Sequence, residues 1–234
     1  MKKVSIIFPA YNEEKNLKLI EKELFPIIKN IDAEVIFVDD GSQDNTIKKI
    51  KCLQKKRKNI LLLEHKENQG MGAAIRTAIP KCNSQYIITM DSDLTFHPRH
   101  IPKLLNKIEK ENVDCVIGSP FIGGFGKDLQ WYRIILSKGV NIIYNILLGQ
   151  RITAVSPILR IYKTKQLQEL ELVSNKFEIN AEILAKLLIK KRKIIEMPAK
   201  LTKRKYGESK LNNFKEIVNH LKLMFKIVWW KIKK

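Results

Sequence analysis

Four short apolar runs, separated by segments of helical periodicity, decide what this chain can fold into. They are Val4–Pro9, Glu34–Val38, Ile60–Leu63 and Tyr86–Met90. Runs this short and this uniformly apolar read as strands buried on both faces, and such strands belong to parallel sheets covered by helices. Between the first two, Leu17, Ile20, Leu24 and Ile28 recur on one helical face of a segment from Glu13 to about Lys29, with Asn12 or its neighbour as the cap. Asp44–Asn45–Thr46 opens a second helix, and the Gly-rich stretch Asn68–Ala74 feeds a third. The alternation predicts a right-handed, doubly wound, mostly parallel α/β sheet.

Downstream, Val113–Gly118 and Lys193–Pro198 read as further strands, and Ile158–Tyr162 as another. Trp131–Leu148 reads as a helix pair or one helix bent at Gly139, and Phe177–Ile189 as a well-patterned helix. Gly123–Gly124–Phe125–Gly126 suits either a lid or a plain surface turn. From Leu211 onward, Phe214, Ile217, Leu221, Phe225 and Val228 keep helical spacing, with lysines on the opposite face.

Doubly wound sheets bind ligands outside the carboxyl ends of their strands. Three polar turns fall there: Pro9–Ala10–Tyr11, Asp39–Asp40 and Asp91–Ser92–Asp93. Residues i and i+2 of an extended segment point the same way, so Asp91 and Asp93 emerge together. Two carboxylates so placed call for a cation, and hard oxygen ligands suit Mg²⁺ or Mn²⁺ shared with a substrate phosphate. The plain alternative is an acidic turn ahead of Pro98.

Charge adds a second constraint. The net charge is +20, and from Lys186 to Lys234 basic residues outnumber acidic ones by 13. That asymmetry implies a polyanionic neighbour, either nucleic acid or an anionic membrane face. Apart from the tail, the basic residues lack interleaved exposed aromatics, so nucleic acid is not expected. No run reaches the length of a spanning helix. The three cysteines, Cys52, Cys82 and Cys115, have no close pairing, which fits a reducing compartment. Met1–Lys3 leads directly into a strand, so no secretory leader is expected. The expected organisation is one domain over residues 1–211 and an amphipathic basic helix over 212–234. Trp229, Trp230 and the terminal lysines suit a membrane interface.

Several motifs together resemble family 2 glycosyltransferases of the GT-A fold. The residues that carry the resemblance are Phe8–Glu13, Val38–Ser42, Asn68–Gly70 and Met90–Leu94, then Gly123–Gly124, Ser137 with Gly139–Asn141, Arg160 and Arg204–Lys210. The Arg-x-Tyr-Gly-Glu-Ser-Lys loop at 204–210 points to the group of dolichol-phosphate mannosyltransferases and related polyprenyl-phosphate glycosyltransferases. The resemblance implies a Rossmann-like sheet and inverting transfer of mannose or glucose from GDP-mannose or UDP-glucose to a polyprenyl or dolichyl phosphate. It implies a cytoplasmic protein, peripheral on the cytoplasmic membrane face. Pro9, Tyr11, Glu13, Val38, Asp40, Ser92 and Lys210 would bind the nucleotide sugar, with Asp40 accepting from the base. Asp91 and Asp93 would hold the divalent metal, and Arg204 would face phosphate. A lipid phosphate is already largely anionic, its second pKa being about 6, so cations rather than a strong base are required. Arg160 and Arg133 join Arg204 and Lys210 as candidates. A hydroxyl acceptor would instead need a carboxylate base, with Glu178 and Glu182 the candidates. A soluble or glycan acceptor, and a chain that binds nucleotide sugar without turnover, are the competing readings. Three positions depart from the family pattern: Pro120 replaces a frequent arginine, Ala154 an acidic residue, and Thr95 a stronger polar ligand.

Overall fold

The structure is a computed structural model that describes residues 3–127, 131–207 and 213–232. Strands β1 (Val4–Ala10), β2 (Ala33–Asp40), β3 (Ile60–His65) and β4 (Tyr86–Thr89) alternate with helices α1 (Glu14–Glu23), α2 (Phe25–Ile28), α3 (Thr46–Lys56) and α4 (Met71–Ala78). Helix α5 (His100–Glu111), β5 (Cys115–Ser119), the short α6 (Pro120–Gly123) and α7 (Trp131–Leu148) follow. The chain continues through β6 (Arg160–Lys163), α8 (Thr164–Gln168), α9 (Ile179–Ile189), β7 (Ile194–Pro198) and α10 (Asn213–Ile232).

One seven-stranded sheet runs in the order β3-β2-β1-β4-β6-β5-β7. Every neighbouring pair is parallel except those involving β6, which is antiparallel to both β4 and β5. The expected strand at Ile158–Tyr162 is therefore present, shifted to Arg160–Lys163 and reversed. Its reversal follows from a chain that leaves β5, runs through α7 and comes back into the middle of the sheet. Alternating strand residues feed two cores. Phe8, Val35 and Phe37 pack with α1, α2 and α5, while Ile7, Ile36 and Val38 pack with α4 and α9.

One helix prediction needs correction, and two others are settled between the alternatives they offered. The segment 13–29 is not continuous: α1 ends at Glu23, and α2 restarts with Pro26 in its first turn, where proline's missing N–H costs nothing. Trp131–Leu148 is one helix rather than a pair. Nor does Asn12 cap α1. Asn12 adopts a left-handed φ of 54° and its side-chain oxygen accepts from the Gln43 amide, while Glu13 occupies the cap position without a side-chain bond.

Helix α10 is more than an appendage. Leu223 and Ile227 on its inner face are buried among core residues of α7 and α9. The expected boundary at 211/212 lies outside the described residues.

Candidate active site

The parallel register sets the carboxyl ends of β1, β2 and β3 level, pairing Pro9 with Val38, Ala10 with Asp39 and Asp40 with His65. The loops leaving these ends are stitched to one another. The Asn12 amide donates to Ser42 Oγ at 2.9 Å, and the Glu13 amide to Thr46 Oγ1 at 2.8 Å. Ser92 Oγ donates to the Pro9 carbonyl at 2.7 Å. Thr202 donates from both its amide and its hydroxyl to the Thr95 carbonyl, each at 2.9 Å. Side chains from distant segments thus form a connected rim around one crevice, as the topology of a doubly wound sheet requires.

Asp91 and Asp93 sit in this rim. Asp93 is buried, its Oδ1 accepts the Thr95 amide at 3.0 Å, and its Oδ2 lies 2.6 Å from Arg204 Nη2. Burial, then the Asp93 charge beside it, pushes the Asp91 carboxyl well above the usual carboxylate range; Arg204 opposes this and Glu13 adds to it. Two carboxylates this crowded are where a bound cation gains most. Among the described residues, no cluster of three or more His, Cys, Asp or Glu could hold a metal. The chain's own contribution would be two carboxylates, leaving the other positions to substrate oxygens and water, a donor set that suits Mg²⁺ or Mn²⁺. The residues present therefore fit a divalent metal.

Asp39 and Asp40 point to opposite faces of β2, and their surroundings differ. Asp40 is fully engaged. Its Oδ1 accepts the Gln69 amide at 2.9 Å and faces His65 Nδ1 at 2.7 Å, and its Oδ2 accepts the Gly70 amide at 2.7 Å. Beyond it, His65 Nε2 meets Thr77 Oγ1 at 2.9 Å. Asp40 thus holds the loop that opens α4. Asp39 is fully buried; its Oδ2 accepts the Ser42 amide at 2.9 Å, and its Oδ1 has no partner. A buried carboxylate oxygen without a donor is costly. The sequence shows two adjacent acids at a strand end, but the spare acceptor belongs to the one that the resemblance did not select.

Gly70 makes this arrangement possible. Its φ is +110°, and a Cβ there would meet the Asn175 carbonyl oxygen at 2.4 Å. The 173–176 segment consequently lies directly on the start of α4, and Arg76 in the last turn of that helix donates to Asn175 Oδ1.

Several expected site residues have other duties. Val38 is fully buried in the core, so only its backbone can face a ligand. Arg160 is also fully buried, its guanidinium donating to the carbonyls of Val155, Pro157 and Asn180; it is not a phosphate ligand. Glu182 accepts from the Val173 and Ser174 amides and pairs with Lys186 at 2.7 Å, which rules it out as a poised base. Glu178 caps α9, with Oε2 buried and unpartnered. Pro120 starts α6, and the Gly123–Gly126 stretch is not a loose lid. The Leu201 amide donates to the Gly124 carbonyl, the Gly126 amide donates to the Leu201 carbonyl, and Gly123 touches Ala199 too closely for any Cβ. Pro9, Tyr11 and Glu13 are half-buried at the rim. Lys210 lies outside the described residues, and the side chain of Arg133 is likewise not described.

The mostly parallel sheet with its ligand crevice at the carboxyl edge has the GT-A fold, and solved structures share it. The glucosyl-3-phosphoglycerate synthase of Mycobacterium tuberculosis, in complex with Mn²⁺, UDP and phosphoglyceric acid, superposes with a TM-score of 0.72 at 15% identity, covering 98% of this chain and 78% of that one. Its complex with Mn²⁺ and UDP-glucose gives 0.73 at 14% identity, covering 98% and 79%. The chain belongs to glycosyl transferase family 2, whose model matches residues 5–171. It is 30% identical to a dolichol-phosphate mannosyltransferase of Pyrococcus furiosus over 98% of its own length and 64% of the relative's. With a Saccharomyces cerevisiae protein of the same name it shares 28% identity over 97% of this chain and 87% of the relative. The chain thus spans somewhat less than two thirds of the Pyrococcus relative.

Proposed function

We propose that this chain transfers a hexose, mannose or glucose, from a nucleotide sugar to a polyprenyl or dolichyl phosphate, with inversion, at the cytoplasmic face of a membrane. The observation that carries the reading is the crowded Asp91–Asp93 pair, with Arg204 at 2.6 Å from Asp93, on a rim built from the loops after β1, β2 and β4. A divalent metal held by Asp91 and Asp93 would supply charge neutralisation for the departing nucleoside diphosphate. The chain's residues do the rest. Arg204 brings a cation to the carboxylate edge where two anionic substrates must meet. Asp39 Oδ1, rather than Asp40, offers a buried acceptor to an N–H of the nucleobase, and Asp40 keeps the Gly70 loop in place. Tyr11 and Glu13 form the rim beside it.

The acceptor assignment rests on the similarity to proteins named dolichol-phosphate mannosyltransferase. Glu182 is tied up in structure, and an already anionic lipid phosphate needs no general base. Helix α10 would lie on the membrane that supplies the lipid. The test is transfer from labelled GDP-mannose and UDP-glucose to a short-chain prenyl phosphate, with phosphoglyceric acid as the soluble acceptor. Lipid-linked product formed with Mg²⁺ or Mn²⁺ supports the reading, and product on phosphoglyceric acid alone refutes it.

A further inference from the structure

We infer that Arg204 is an exchangeable counter-ion. Its guanidinium and the divalent metal compete for one oxygen of Asp93, and the donor diphosphate decides between them by drawing the guanidinium away. This rests on the metal reading above and adds a condition to it: metal binds weakly alone and tightly together with a nucleoside diphosphate.

The competition follows from how Asp93 is held. Its Oδ1 accepts the Thr95 amide at 3.0 Å, which orients the carboxylate and leaves Oδ2 to a cation. Arg204 Nη2 stands 2.6 Å from that oxygen. Mg²⁺ coordinates a carboxylate oxygen at about 2.1 Å, so it needs the same approach. A guanidinium and a divalent ion on Oδ2 would set three positive charges against one carboxylate. The Asp93 side chain is only 6% exposed, where water screens poorly and the two cations repel strongly. One of them must yield.

Arg204 is built to be the one that moves. Its side chain is 26% exposed, and Lys203, Lys205, Tyr206 and Gly207 around it are exposed. The guanidinium can therefore leave Oδ2 by turning about its own side-chain bonds, with no core unpacked. It cannot go far. Thr202, two residues earlier, donates from amide and hydroxyl to the Thr95 carbonyl, each at 2.9 Å. Thr95 thus ties both halves together: its amide orients Asp93, and its carbonyl anchors the segment that carries Arg204. The displaced guanidinium stays at the carboxylate edge, where a donor diphosphate offers it a new partner. A guanidinium fork matches phosphate oxygens bidentately. The linkage is reciprocal: nucleotide raises the affinity for metal by the same factor as metal raises the affinity for nucleotide. Once the diphosphate has gone, Arg204 returns to Oδ2 and favours release of the metal.

The test is Mn²⁺ binding by the full chain, read by electron paramagnetic resonance with and without GDP or UDP. The wild type is compared with Arg204→Met, Arg204→Gln and Arg204→Lys, each shown to be folded by its thermal melt. Without nucleotide, the wild type and Arg204→Lys bind Mn²⁺ weakly. The two neutral variants bind it about tenfold tighter or more, within the usual range of coupling between sites. The ratio of Mn²⁺ affinities with and without nucleotide shrinks in them by a similar factor. Neutral variants that bind Mn²⁺ no tighter than the wild type overturn the exchange and leave the metal site standing. Equal tightening in Arg204→Lys also overturns it, since a bulky obstruction would then explain the effect without competing charge. Binding by none of the four proteins, with or without nucleotide, overturns both the exchange and the metal reading it rests on. Exchange as described, without transfer from a nucleotide sugar to prenyl phosphate, would sink the proposed activity alone.

Discussion

Asp39 and Asp40 invite a paired experiment, because the structure puts these neighbouring carboxylates in different surroundings. In Asp40→Asn, one oxygen becomes an NH₂ group facing N–H donors. The wild-type side chain accepts the Gln69 and Gly70 amides and faces His65, all in a site only 4% exposed. Losing one charge-assisted bond costs about 1.5–3 kcal/mol, and stranding a buried amide adds about 1–3 kcal/mol. A destabilisation of about 3 kcal/mol is a fair middle figure, equivalent to a drop in Tm of roughly 6–12 °C for a chain of this size. Asp39→Asn should behave differently. Its carbonyl can still accept the Ser42 amide, and its NH₂ would replace the oxygen that has no partner. Stability should change by less than about 1 kcal/mol. Affinity for the nucleotide should fall at least tenfold, about 1.4 kcal/mol, because an acceptor has become a donor. Thermal melts and calorimetric titration with GDP and UDP separate the two effects. A stable Asp40→Asn protein with weakened nucleotide binding, beside an Asp39→Asn protein that binds normally, would refute the assignment.

Other consequences are as specific. His100 is buried with neither ring nitrogen partnered, and burial lowers its pKa to about 4. Between that value and the unfolded one near 6.5 only the unfolded chain takes the proton, so stability falls as pH drops through this window, by about 3 kcal/mol in all. Denaturant melts at pH 7 and pH 4 read this, and His100→Leu should shrink the loss by the histidine's share while the titrations of Glu216 and Asp91, both raised by burial, remain. Gly70→Ala should cost more than about 2 kcal/mol, since φ is +110° and the Asn175 carbonyl oxygen stands at 2.4 Å from the added carbon; a neutral substitution would contradict the close approach. Glu182→Gln should lower Tm through its lost bonds to Val173, Ser174 and Lys186. A large loss of kcat in that variant with Tm unchanged would restore it as a base.

The sheet was legible because buried parallel strands announce themselves as uniformly apolar runs, and each ended near its expected residue. The antiparallel insertion of β6 between β4 and β5 was not, since a short run carries no record of its partner. Side-chain fate was the less legible part. Arg160 looks like a phosphate ligand in a string of residues, yet its guanidinium satisfies three carbonyls that the chain itself leaves open. Glu182 looks like a base on a helix face, yet it fastens the loop that crosses α4. Polar groups reveal their function only when the donors around them are counted, and those donors come from segments far away in the chain. The Asp91–Asp93 pair stands out in the sequence after an apolar run, but the extended spacing read there does not persist, since β4 ends at Thr89 and Ser92 and Asp93 lie in a turn. Its link to Arg204 also depends on the fold.

The most direct test of the whole account is metal-dependent transfer by the Asp91→Asn/Asp93→Asn variant. Nearly isosteric amides at both positions remove the charge and keep the shape, so the protein should melt at or above the wild-type temperature. Transfer from the labelled nucleotide sugar to prenyl phosphate should fall at least a hundredfold, about 2.7 kcal/mol of lost transition-state stabilisation. Mg²⁺ and Mn²⁺ should no longer raise the melting temperature in the presence of nucleotide. Wild-type rates in a folded double variant would contradict the central claim.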